Sequence, residues 1–82
     1  MKTTVELSNY PLNEVYKPII KDFIKRLNTN PSFKVITSAT NTQVSGDYDE
    51  VMSMLQKEIK LSFEKFGKAV FVMKVLKGDL LP

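Results

Sequence analysis

The spacing of hydrophobic and polar positions divides the chain into four predicted strands and two predicted helices. Residues 3–10 alternate, with Val5 and Leu7 on one side and polar residues on the other, which is typical of a strand with one apolar face. Pro11 ends this strand because proline has no N–H group to donate to a neighbouring strand. The polar positions of the strand therefore point away from the core.

Two longer segments have the period of amphipathic helices. The first helix is predicted over residues 16–28, which places Pro18 in the first turn, where a missing N–H group costs little. The second is predicted over residues 47–66. It starts at Asp47, in a sequence with capping-box spacing, and ends before Gly67 at the C-cap.

The remaining strands are short. Residues 33–38 and 42–45 are separated by a short turn and are predicted to pair as a hairpin. Residues 69–76 are apolar on both faces, which indicates that the second face is also covered, by another subunit.

Gly46 lies between the third strand and the second helix. We interpret it as a position of positive φ or of close backbone approach.

The resulting order, β-α-β-β-α-β, predicts the α+β ferredoxin-like plait. Right-handed crossovers place the first strand between the third and the fourth, so the antiparallel sheet has the order 4-1-3-2 with both helices on one face. A length of 82 residues indicates a single domain, residues 1–82. A domain of this size buries a modest core and gains stability from a partner.

The composition limits the chemistry of the chain. It has no cysteine and no histidine, which removes thiolate chemistry, the commonest metal ligand and the commonest general base. The sequence contains no nucleophile–base pair, glycine-rich phosphate loop or cluster of metal ligands. We therefore predict no catalytic residue, no metal and no cofactor.

Charge and hydropathy indicate neither a nucleic-acid partner nor membrane insertion. The net charge is +3, and basic residues stand near acids at helical spacing, as Arg26 does with Asp22, which we interpret as solvated helix faces. The third strand lacks the stacking aromatics of an RNA-recognition module. No apolar run approaches the ~20 residues of a membrane span. A cytoplasmic location is the expectation.

Polar side chains converge where the first and third strands pair. In an antiparallel plait, the end of the first strand lies beside the start of the third strand. The face turned away from the helices then carries hydroxyls, amides, a carboxylate and one aromatic ring, which can bond to and stack on a small planar ligand. The alternative is that these are ordinary solvated residues, with Tyr10 in a subunit contact.

Five stretches of the chain match a known pattern: SNYPL from residue 8, Tyr16 with PII from residue 18, TQ at residues 42 and 43, GDYDEVM from residue 46 and FEKFGKAVFV from residue 63. They resemble the YkoF-like thiamine/hydroxymethylpyrimidine-binding family. The resemblance spans nearly the whole chain. It implies a ferredoxin-like fold, a homodimer or homotetramer assembled through the sheets, and binding of thiamine or its pyrimidine moiety. Two residues depart from the family pattern: Asn41 replaces a small residue, and Asn9 replaces an apolar one.

The resemblance and the polar face together predict a set of ligand-binding residues, with the hydroxyls and amides bonding to an aminopyrimidine, Tyr10 stacking on a ring and Glu6 offsetting the thiazolium charge. Ser8, Tyr10, Thr42 and Gln43 match the family motif, and the face turned away from the helices adds Glu6 and Asn41. The interpretation is non-catalytic binding of thiamine or its hydroxymethylpyrimidine moiety in vitamin salvage or transport. One alternative is a regulatory or structural oligomeric module without a ligand; another is a small enzyme with Glu6 as its base.

Overall fold

Six elements follow the predicted order in the computed structural model, which describes residues 1–82. The strands form one antiparallel sheet in the order β2-β3-β1-β4, which confirms the predicted fold class. Neither helix is long and apolar enough to cross a membrane. The elements are β1 Lys2–Pro11, α1 Lys17–Leu27, β2 Lys34–Thr37, β3 Thr42–Asp47, α2 Tyr48–Phe66 and β4 Ala69–Lys77.

The core lies between the two helices and the centre of the sheet. Val5 of β1 stands opposite Val44 of β3, and both side chains are completely buried. Phe23 from α1 and Val51 and Leu55 from α2 are buried in the same cluster. The alternation in β1 therefore directs Val5 towards the helices, as predicted, and turns its neighbour Glu6 to the opposite face of the sheet, called the open face below.

Gly46 lies inside β3 rather than after it. The residues with positive φ are Gly67 and Gly78, so a left-handed conformation is not the reason for a glycine at residue 46. A Cβ atom added there would lie 2.9 Å from Cδ1 of Phe33 and 3.2 Å from Cγ2 of Val51. The glycine is therefore explained by two side chains that pack closely against its backbone, and not by a positive φ.

Arg26 joins the two helices instead of pairing with Asp22 in solvent. The Arg26 side chain is only 17 % exposed and donates to the carboxylate of Glu58 on α2, to Oγ of Ser62 at 2.6 Å and to Oδ2 of Asp22 at 3.0 Å. Hydrogen bonds from Lys65 and then from Arg26 hold the pKa of the Asp22 carboxyl below its usual range. The interpretation of this pair as a solvated helix surface was wrong, because helix periodicity does not reveal which charged positions meet the other helix.

Residues 78–81 fold back over the open face. Gly78 has a φ of 101°, and the backbone N–H of Leu80 then donates to Oγ1 of Thr4 at 2.9 Å. Ser45 donates to Oδ1 of Asp79 at 2.7 Å, and that bond, followed by the one from Lys34, lowers the pKa of the Asp79 carboxyl. This segment covers the open face near the start of β1, and the sequence pattern did not predict it.

The apolar side chains of β4 are largely uncovered on both faces. Val70, Val72 and Leu76 lie on the open face and are 46 %, 53 % and 39 % exposed. On the opposite face, Phe71 packs against the core, but Val75 is 51 % exposed. A single chain thus leaves apolar side chains exposed on both faces of β4, the strand that was predicted to be covered on both.

Candidate functional site

A cavity of about 430 Å³ opens where β1 ends. Its walls come from the last residues of β1, from Tyr16 and one side of α1, and from the turn between β2 and β3. Its volume falls within the roughly 300–1,000 Å³ of small-molecule sites. The apolar part of the lining is formed by Leu7, Pro11, Ile20, Phe23, Ile24 and Ala39, and the aromatic hydroxyls by Tyr10 and Tyr16.

The polar wall of the cavity is the turn between β2 and β3. The backbone N–H of Ser38 donates to the carbonyl of Asn41 at 2.9 Å, and Oγ of Ser38 donates to Oδ1 of Asn41 at 3.1 Å. Oγ of Ser8 donates to the carbonyl of Thr40 at 3.2 Å, which ties the turn to β1. These bonds hold the polar groups of the turn next to the polar groups at the end of β1.

All fourteen lining residues are uncharged. A charged ligand group would lose its hydration in this cavity without gaining an opposite charge, which is energetically costly. Neutral polar groups can instead exchange water for the hydroxyls and amides of the wall. The cavity therefore suits a neutral, partly apolar ring.

The structure brings together four of the six residues predicted to bind a ligand. Ser8, Tyr10, Asn41 and Thr42 all line the cavity, and Thr42 is 6 % exposed on the helix side of β3.

Glu6 and Gln43 lie outside the cavity. They stand opposite each other on the open face, where Oε1 of Glu6 is 3.7 Å from Nζ of Lys74. Strand alternation explains the separation of Gln43 from its neighbour Thr42, because adjacent residues of β3 point to opposite faces.

Sequence reasoning missed the helix side of the site. It placed the ligand on the open face, so it did not assign Tyr16, Ile20 and Ile24 of the α1 region to the site. It identified Asn9 as a departure from the family pattern but did not assign this residue to the site, although strand alternation indicates its position. This residue shares the side of β1 that carries Val5 and Leu7, where an apolar side chain is the rule.

Asn9 is the only residue whose side-chain polar atoms are buried and form no hydrogen bond within the protein. Both Oδ1 and Nδ2 are in this state. Asn9 stands opposite Phe71, whose ring packs 5.0 Å from the ring of Phe23 and 5.6 Å from that of Phe63. An unsatisfied buried polar group costs about 1–3 kcal/mol, so this amide destabilises the unliganded fold.

Comparison with solved structures shows that the fold is shared. A protein from Streptococcus pneumoniae has a TM-score of 0.86 at 21 % identity, over 98 % of this chain and 90 % of that one. A Thermotoga maritima protein described as a "putative thiamine biosynthesis/salvage protein" has a TM-score of 0.83 at 19 % identity, over 95 % and 85 % of the two chains. A domain of unknown function, DUF77, from Bacillus cereus has a TM-score of 0.74 at 14 % identity, over 92 % and 74 %. The sequence matches no protein-family model and no curated protein.

Proposed function

We propose that the chain binds thiamine or a related aminopyrimidine, with the pyrimidine ring in the cavity at the end of β1. The observation that carries this proposal is the cavity itself, a space of about 430 Å³ with an uncharged lining and polar groups on one wall. The name of the Thermotoga maritima protein, which has the same fold, agrees with a ligand of this chemistry. The resemblance of the sequence to thiamine-binding proteins agrees with it as well.

Four residues have roles in this proposal. Ser8, Asn41 and Thr42 offer hydroxyls and an amide to the nitrogen atoms of a pyrimidine. Tyr10 is 56 % exposed beside the cavity, where its ring can stack on the cationic thiazolium that remains outside. The neutral ring is thereby buried and the charged ring stays in contact with water.

Binding without turnover is part of the proposal. The lining holds no carboxylate, amine or imidazole that could transfer a proton. Glu6, the residue considered as a base, lies on the open face beside Lys74. Retention of an unchanged vitamin suits a role in salvage or transport.

Titration with thiamine tests the site with a matched pair of variants. We expect Thr42→Val to lose roughly 10-fold or more in affinity, because Thr42 lines the cavity and the variant removes its hydroxyl. Gln43→Leu should bind as wild type does, because Gln43 faces away. Thiamine at 100 times its dissociation constant should stabilise the wild-type fold by about 2.7 kcal/mol, which raises Tm by roughly 10–20 °C. Calorimetry measures the affinities of the variants, and thermal melting measures the stabilisation by thiamine. The reverse pattern, a loss with Gln43→Leu alone, would place the ligand on the open face.

The exposed apolar strand β4 favours a second function, assembly of an oligomer through the sheet. Val70, Val72 and Leu76 form an uncovered apolar row on the open face. We expect light scattering at micromolar concentration to give at least twice the 9.4 kDa mass of one chain. A Val72→Lys variant should shift the mass towards that of the monomer. A folded wild-type monomer at that concentration would contradict assembly, and an oligomer that does not bind thiamine would favour a purely structural module.

A further inference from the structure

Asn9, whose side-chain amide is unpaired, is one of the residues that line the cavity proposed above as the ligand site. Oδ1 and Nδ2 are both buried without a partner, and the residue forms part of the cavity lining. Natural proteins retain few such groups, and each one calls for a functional or structural reason. No neighbouring side chain satisfies this amide, which leaves both of its polar atoms free to pair with a bound molecule.

We propose that Asn9 selects the ligand by pairing with a cyclic amidine, that is, a ring nitrogen next to an exocyclic amino group. The proposal rests on the function proposed above and specifies how the ligand is recognised. The carboxamide oxygen accepts a hydrogen bond from the amino group, and the carboxamide N–H donates to the ring nitrogen. Asparagine pairs with adenine through the same two kinds of hydrogen bond, one accepted from an amino group and one donated to a ring nitrogen.

The surroundings of Asn9 favour a flat, neutral ring. Phe71 stands opposite Asn9 in the sheet, and Phe23, which packs against Phe71, also lines the cavity. Aromatic neighbours of this kind exclude water from the two hydrogen bonds, which strengthens them. The uncharged lining excludes a phosphate group from the buried end of the ligand.

The amide must turn to meet the ligand. Neither of its polar atoms has accessible surface in the unliganded protein. The torsion of the terminal amide itself opposes this movement little, because it has a broad distribution in asparagine. Binding therefore requires the buried side chain of Asn9 to turn towards the cavity.

Two ligands and two forms of the full chain test this pairing by calorimetry. The ligands are 4-amino-5-hydroxymethyl-2-methylpyrimidine and the same compound without its amino group. The protein forms are wild type and Asn9→Leu, which keeps a similar size and removes both polar atoms. We expect wild type to bind the amino compound roughly 10- to 100-fold more tightly than the deamino compound, and Asn9→Leu to bind the two equally.

Thermal melting without ligand gives an independent result. Asn9→Leu should melt at a higher temperature than wild type, because it removes two buried atoms without partners. Asn9→Ser, a smaller residue, serves as a second variant and should also lose the preference for the amino compound.

The outcomes separate this proposal from the one on which it rests. An equal preference for the amino compound in wild type and Asn9→Leu would overturn the role of Asn9 and leave the cavity as the binding site. Absence of binding by wild type to both compounds and to thiamine would overturn both proposals.

Discussion

Arg26→Met is expected to destabilise the folded chain by about 3 kcal/mol. The substitution leaves the Glu58 carboxylate, which is 13 % exposed, without its cation, and removes the donor to Ser62, which is 2 % exposed. Breaking a fully buried pair costs about 3–5 kcal/mol, and the partial exposure places this pair at the lower end. Small domains have a total stability of only about 5–15 kcal/mol, so the loss is a large fraction.

Chemical denaturation of the double variant Arg26→Met/Glu58→Met provides the control. Without Glu58 no uncompensated charge remains, so we expect the double variant to recover most of the lost stability. Asp22 keeps its hydrogen bond from Lys65 at 3.0 Å in both variants. A double variant that is less stable than Arg26→Met would show that the charge left on Glu58 is not the cause.

Gly46→Val is expected to cost about 3 kcal/mol. A Cβ atom alone would lie 2.9 Å from the Phe33 ring, and valine adds two methyl groups at this buried position. Phe33 is 8 % exposed and Val51 is completely buried, so neither side chain can move aside freely. Overpacking of this kind costs about 1–3 kcal/mol, and valine is at the upper end.

A rescue experiment distinguishes crowding from backbone strain. Gly46→Ala should be destabilised less in a Phe33→Leu background, because the smaller side chain makes room for the new methyl group. Gly67→Ala is the matched control: Gly67 has a φ of 86° and an added Cβ has no neighbour within 4 Å, so its cost comes from the backbone and Phe33→Leu should leave it unchanged. Equal effects of Gly46→Ala in both backgrounds would contradict the crowding account.

The fold was predictable because its local patterns agree with one another. Alternation in β1, the helical period of α1 and α2 and the capping residues Asp47 and Gly67 all specify the same element order. Asp47 accepts a hydrogen bond from the backbone N–H of Glu50, as the capping-box spacing indicates. Once the order is known, the handedness of crossovers leaves few sheet topologies.

The site was predictable only in part. Strand pairing brings Ser8, near the end of β1, next to Thr42, at the start of β3, and this proximity follows from the topology. The cavity also needs the distance between α1 and the turn after β2, which depends on how the side chains of the core pack. Periodicity does not encode that distance, so Tyr16 was not assigned to the site. Residues 78–81 return across the open face through contacts with Thr4 and Ser45. These contacts join distant parts of the chain, so no local sequence pattern predicts them.

Titration of ¹⁵N-labelled protein with thiamine, followed by NMR, tests the central claim that the ligand occupies the cavity at the end of β1. The account predicts that four amide signals change their chemical shifts with the same dependence on thiamine concentration. They are the side-chain amide of Asn9 and the backbone amides of Ser8, Thr40 and Thr42. The chemical shift of the side-chain amide of Gln43, on the open face, should not change, and this signal serves as the internal control. Changes confined to Gln43 and its neighbours on the open face, or no change at millimolar thiamine, would contradict the account.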